Sequence, residues 1–178
     1  MLFIAKCFYF MMPAYFANMA PVIVKKWFNF LAVPIDRNRR LFGKGIFGRN
    51  KTWRGFIFGI IFSVVIAYLQ RVLLNFKFFL KLSFFDYSNW FVFGFLMGFG
   101  AVIGDLIESF FKRRIRIKPG EPFRPFDQLD FVFGALLFVS FVFRLTFEMV
   151  LVIVILSFFG HIFINHLAYY LGIRDTKW

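Results

Sequence analysis

Acidic side chains are scarce in this sequence. Nine Asp and Glu stand against 22 Lys and Arg among 178 residues, a net charge of +13. Cysteine is nearly missing, and Cys7 on its own excludes an intramolecular disulfide framework. No repeat, linker or low-complexity stretch divides the chain, so one domain is expected. Polar residues are too few for a soluble fold: 61% of the chain is hydrophobic and 24% aromatic, with 33 Phe, more apolar bulk than an interior of this size can hide. The composition therefore predicts an all-α integral membrane protein. In a soluble chain the excess of cations would suggest nucleic acid. Between membrane spans it points instead to anionic headgroups, phosphates or nucleotides, and nucleic acid is not expected as a partner.

Five stretches approach the roughly 20 apolar residues that a crossing requires: about 2–24, 56–74, 90–111, 129–143 and 149–171. The first lacks a small-residue cleavage site before its polar flank and reads as a retained helix. The loop from Lys25 to Arg54 carries nine Lys and Arg, and that from Lys112 to Gln128 carries six. The stretch from Arg71 to Asn89 has three. This asymmetry predicts both basic loops and the C-terminus in the cytoplasm and the N-terminus outside. "FKFFLKLSFFDYSNW" (76–90) reads as a short amphipathic piece in the outer interface.

With acids so few, their position carries information. "GDLIESFFKRRIRIKPG" (104–120) places Asp105, Glu108, Ser109 and Lys112 at i, i+3, i+4 and i+7, on one helical face. Asp127 and Asp130 repeat the i, i+3 spacing where the fourth span begins, and the intervening loop can bring both pairs to one depth. Carboxylates at a membrane boundary beside Lys112, Arg113, Arg114, Arg116 and Lys118 suggest Mg²⁺ bridging acids to phosphate oxygens, the cations neutralising the remaining charge. Glu108 is equally consistent with simple pairing to the arginines. Asp105 is not, because an intramembrane acid marks a functional site by default.

"GKGIFGRNKTWRG" (43–55) falls short of a P-loop, since Arg49-Asn50 occupy the Lys-Ser/Thr position and no strand precedes it. It reads as a flexible loop with backbone donors. Lys51, Thr52 and Arg54 stand where the second span starts, and a helix N-terminus favours anions. Asn18 either bonds across helices or lines a substrate site. His161 and His166 are five apart, off one face, so a metal pair is not expected; with Asn165 they read as packing or interfacial contacts.

These segments resemble a known family. "GDLIESFFKRR" is similar to the signature of membrane cytidylyltransferases that make CDP-diacylglycerol. The bacterial type has a His-Gly-Gly stretch before its later Asp motif, and "FRPFDQLDFVFGA" stands here instead. That segment matches the related archaeal CDP-archaeol synthases better, as do "PAYFANMAP" (13–21), "PID" (34–36), "KTWRG" (51–55) and the closing "LGIRDTKW". The resemblance covers nearly the whole chain in order. It implies transfer of CMP from CTP to a prenyl-ether glycerol phosphate, 2,3-bis-O-geranylgeranyl-glycerol 1-phosphate. On that basis Asp105, Asp127 and Asp130 are expected to hold Mg²⁺, with Glu108 as a helper, and, with Lys112, to form the catalytic set. Lys51, Thr52, Arg54, Glu108, Ser109, Arg113, Arg114, Lys118 and Asn18 are expected to bind substrate. Two other readings stay open: the same transfer to phosphatidic acid, and a non-catalytic anion-binding membrane protein.

Overall fold

Six α-helices carry most of the backbone in the computed structural model, which describes residues 1–118 and 121–170 apart from the side chains of Asn165, Leu167 and Ala168. They are α1 (Leu2–Ile23), α2 (Trp53–Leu73), α3 (Lys77–Leu82), α4 (Trp90–Arg114), α5 (Asp130–Val139) and α6 (Phe147–Tyr170). The motif LGIRDTKW, the last two residues of KPG and the side chain of Asn165 lie outside the described residues. An apolar run in hydrocarbon becomes a helix because every backbone N–H and C=O must find its partner within the segment.

Trp53–Leu73, Trp90–Arg114 and the Phe147–Ile164 part of α6 are long and apolar enough to cross a membrane. The 22 residues of α1 also reach about 33 Å at the usual rise, though Lys6, Asn18 and two prolines dilute its apolar character. The stretch expected as a fourth span differs. Its helix has ten residues, about 15 Å and half the hydrocarbon thickness. Backbone bonds from Ser140 and Phe143 to Leu136 and Val139 add one further turn. The piece expected at the outer interface is α3, with Phe78 and Leu80 exposed and Phe79 and Leu82 against the core.

Two contact zones hold the bundle. Away from the acids, Phe93 at the start of α4 meets Phe10, Phe85 and Phe143 with ring centroids 5.2, 4.9 and 5.4 Å apart. Near the acids, α4 and α5 touch backbone to backbone. Gly100 and Gly104 face Gly134 and the carbonyl of Asp130 so closely that a side chain on any of the three glycines would collide with main-chain atoms. This contact sets how near the acids of α4 come to the start of α5.

The first basic loop is bonded rather than free. A hairpin pairs β1 (Arg40–Leu41) with β2 (Lys44–Gly45), and Phe42 and Gly43 at its tip both have positive φ, as a type I′ turn requires. Buried Asp36 accepts backbone N–H bonds from Asn38, Phe47 and Gly48 at 2.9, 2.9 and 3.1 Å. Burial would raise its carboxyl, but these donors hold it below the usual carboxylate value. A depressed carboxylate stabilises the fold above its unfolded pKa and loses that contribution as pH falls through the lower folded value. Asp36→Ala should therefore cost about 2–3 kcal/mol near pH 7, seen as a lower melting temperature in detergent. The difference from wild type should close as pH drops below about 3.8.

Candidate active site

The loop and the helix ends meet around a cavity of about 280 Å³. From the loop, Ile35 donates its N–H to the Lys51 carbonyl at 2.9 Å and Trp53 donates to the Val33 carbonyl at 3.0 Å. The Pro-Ile-Asp and Lys-Thr-Trp segments thus run side by side, which fixes Lys51 at the cavity wall. Thr52 caps α2, its Oγ1 accepting the Gly55 N–H at 3.3 Å.

Lys51 Nζ lies 2.5 Å from Asp105 Oδ1. Burial would lower this ammonium, but the charges of Asp105, Asp130 and Glu108 keep its pKa above the ordinary value. Asp105 and Glu108 project one helical turn apart from α4, and Asp130 comes from the first turn of α5. One carboxylate oxygen from each lies within 4.8 Å of the others. Three carboxylates held so close repel one another, and a divalent cation relieves that repulsion. A set made only of hard oxygens suits Mg²⁺ or Ca²⁺ rather than a soft metal.

The sequence placed Asp127 third in this set. In the structure the three acids that come together are Asp105, Glu108 and Asp130, and Asp127 lines the same cavity beside Glu108. Asp127 Oδ1 accepts from Lys112 Nζ at 2.8 Å and Oδ2 from the Phe123 N–H at 2.6 Å. Burial would raise the Asp127 carboxyl, but bonding to Glu108, Lys112 and Phe123 draws it below the usual carboxylate value. Lys112 is also 3.4 Å from Glu108 Oε1, four residues before it. It ties the second basic loop to the acidic cluster.

The expected phosphate ligands divide into two groups. Lys51, Lys112, Arg113 and Ser109 line the cavity, as does Asn18 from α1. Arg113 is buried, and its Nε and Nη1 have no hydrogen-bond partner among the described residues. Arg54, Arg114 and Lys118 do not line it. Arg54 donates to the Trp27 carbonyl at 3.0 Å and to Asn29. Arg114 donates to the Leu41 carbonyl at 2.7 Å and also to that of Gly45, while Lys44 donates to the Arg114 carbonyl at 2.7 Å. These bonds latch the hairpin to the end of α4, so Arg114 shapes the site from behind. Lys118 bonds through its backbone N–H to Glu121 at 2.9 Å.

Asn50, Arg124, Gln128 and His161 line the cavity without having been expected there. Asn50 and Gln128 each adjoin a residue that had been singled out, and that was the available signal. His161 had none, because its place depends on how α6 crosses α1. His166 turns its Nδ1 to the Ile162 carbonyl 2.9 Å away, within its own helix.

This arrangement of acids, cations and helices matches known proteins along its length. The family model described as CarS-like, CDP-archaeol synthase, matches residues 1–178. A CDP-archaeol synthase of Methanocaldococcus jannaschii is 35% identical over 172 residues, covering 96% of this chain and 94% of the relative. That of Pyrococcus furiosus is 35% identical over 176 residues, covering 98% of each. A solved intramembrane enzyme of archaeal membrane lipid biosynthesis superposes with a TM-score of 0.72 at 26% identity, over 88% of this chain and 90% of that one. With the whole length matched and the acidic cluster in place, the chain belongs to the CDP-archaeol synthase family.

Proposed function

We propose that this protein transfers CMP from CTP to 2,3-bis-O-geranylgeranyl-glycerol 1-phosphate, releasing pyrophosphate and leaving the CDP-activated ether lipid. The observation that carries this reading is the convergence of three carboxylates with Lys51, Lys112 and Arg113 on one cavity where the apolar helices end. The lipid phosphate is already ionised at neutral pH and is itself the nucleophile, so no strong general base is needed. Two anions must instead be held together while charge builds on the departing pyrophosphate, and fixed cations serve that need.

Lys51 lies at the acidic cluster and holds a phosphate oxygen on that side. Lys112 and Arg113 face the triphosphate from the end of α4, and Ser109 adds a hydroxyl one turn earlier. Asp127 keeps Lys112 extended into the cavity. Asp105, Glu108 and Asp130 would hold a magnesium ion. When bound, that ion neutralises phosphate charge and polarises the phosphoryl group.

The whole chain acts as one membrane-embedded unit. In this reading α1, α2, α4, the α5 segment and α6 are the five membrane segments, with the N-terminus outside and both basic loops in the cytoplasm, where CTP is found. The prenyl tails stay between helices while the headgroup reacts at the inner boundary.

Purified protein in detergent, given labelled CTP and Mg²⁺, should convert the geranylgeranyl ether phosphate well and phosphatidic acid poorly. Asp127→Asn, which releases Lys112, should lower turnover about tenfold to a hundredfold, the scale of one charge-assisted hydrogen bond. Absence of any CDP-lipid from wild type, or equal product from Asp127→Asn, contradicts the assignment.

A further inference from the structure

A second cavity of about 330 Å³ runs between α1 and α6 and is almost wholly apolar. Phe8, Met12 and Tyr15 line it from α1 at i, i+4 and i+7, and Ser157, His161 and Ile164 line it from α6 at the same spacing. Each helix therefore offers one face to the groove. Tyr15 and Ser157 hydroxyls meet across it at 2.8 Å and hold the two helices in register.

Two residues line both this groove and the polar cavity, Asn18 and His161. They form a neck between the hydrocarbon-lined space and the acids and cations. A lipid phosphate has to bring its charged end from the membrane to CTP, and this neck joins an apolar compartment to the reacting groups. An imidazole donates at least one N–H in either protonation state, which suits a phosphate oxygen leaving hydrocarbon.

Resting on the cytidylyltransferase reading, we propose that His161 binds the phosphate of the lipid substrate at this neck, so that it governs affinity for the lipid and not for CTP. Chains lie in the α1–α6 groove, the headgroup passes Asn18 and His161, and the phosphate reaches the side of the cavity opposite the pyrophosphate.

The test separates the two substrates. Initial rates of CDP-lipid formation are measured for wild type, His161→Ala and His161→Gln. The geranylgeranyl ether phosphate is varied at saturating CTP, then CTP at saturating lipid. CTP binding without lipid is followed by calorimetry on the same preparations. His161→Ala should raise KM for the lipid about tenfold to a hundredfold, the loss of one hydrogen bond to a charged group. Its KM for CTP and its calorimetric CTP affinity should stay within about twofold. His161→Gln keeps an N–H donor and should recover most of the lipid affinity.

An unchanged lipid KM in His161→Ala overturns the proposal. So does a parallel rise in both KM values, or loss of CTP binding in both variants, since His161 then serves the nucleotide or the packing. Failure of wild type to make CDP-lipid at all is a different result, and it removes the underlying reading whatever the variants do.

Discussion

Asp130→Asn is expected to lower CDP-lipid formation by about a thousandfold, the scale set by removing one preorganised charge-stabilising group from a water-poor site. Asn is isosteric with Asp, and its side-chain oxygen can still accept the Phe131 N–H that Asp130 Oδ1 takes at 2.6 Å. The start of α5 should therefore survive. What changes is the charge of the set formed with Asp105 and Glu108, whose oxygens lie within 4.8 Å of one another. Two carboxylates hold a hard divalent ion more weakly than three. Raising Mg²⁺ should then restore part of the activity, which no loss of packing would allow. Glu148→Gln serves as the control, since Glu148 is exposed at the start of α6, away from the cavity, and its activity should match wild type. Steady-state turnover across a Mg²⁺ series checks both expectations.

Gly104→Ala should lose about a hundredfold or more in kcat although it touches no substrate, because a 1 Å misplacement of reacting groups costs about that much. A methyl at residue 104 would strike the Asp130 carbonyl oxygen, with the carbonyl carbon at 2.9 Å and Gly134 Cα at 3.2 Å. These are main-chain atoms and no rotamer relieves them. Only separation of α4 from α5 does, and that moves Asp130 away from Asp105, the residue next to the substitution. Overpacking should also cost about 1–3 kcal/mol of stability. Gly45→Ala is the matched control: nothing lies within 4 Å of an added Cβ there, and both kcat and melting temperature should hold. Turnover and thermal unfolding in detergent measure the pair.

Helices were legible in the sequence where composition alone decides them. Runs such as Phe56–Leu74 leave a membrane chain no other way to satisfy its backbone, and the structure begins and ends those helices within a few residues of the expected bounds. The short α5 was less visible, since Phe141, Val142 and Phe143 prolong the apolar run beyond the point where the helix gives way to turns. At the site, i, i+3, i+7 spacing put Asp105, Glu108 and Lys112 on one face, and all three line the cavity, because helix geometry is local. The choice between Glu108 and Asp127 was not local. It depends on Phe123 and Lys112 both claiming Asp127, which is decided by the path of a loop. Arg114 shows the same limit: beside Lys112 and Arg113 it looks like a phosphate ligand, yet the hairpin carbonyls take its guanidinium. His161 belongs to a third kind, with a role set only by the crossing of two helices far apart in sequence.

The central claim is that α4 and α5 are held together so that their three acids share one divalent ion. Mn²⁺ binding to the detergent-purified protein, read as loss of the free-ion EPR signal, tests it most directly. Wild type should remove Mn²⁺ from solution and yield it to excess Mg²⁺, while the Asp105→Asn, Asp130→Asn double variant should bind no more than a detergent blank. Equal Mn²⁺ binding by wild type and the double variant would contradict the account.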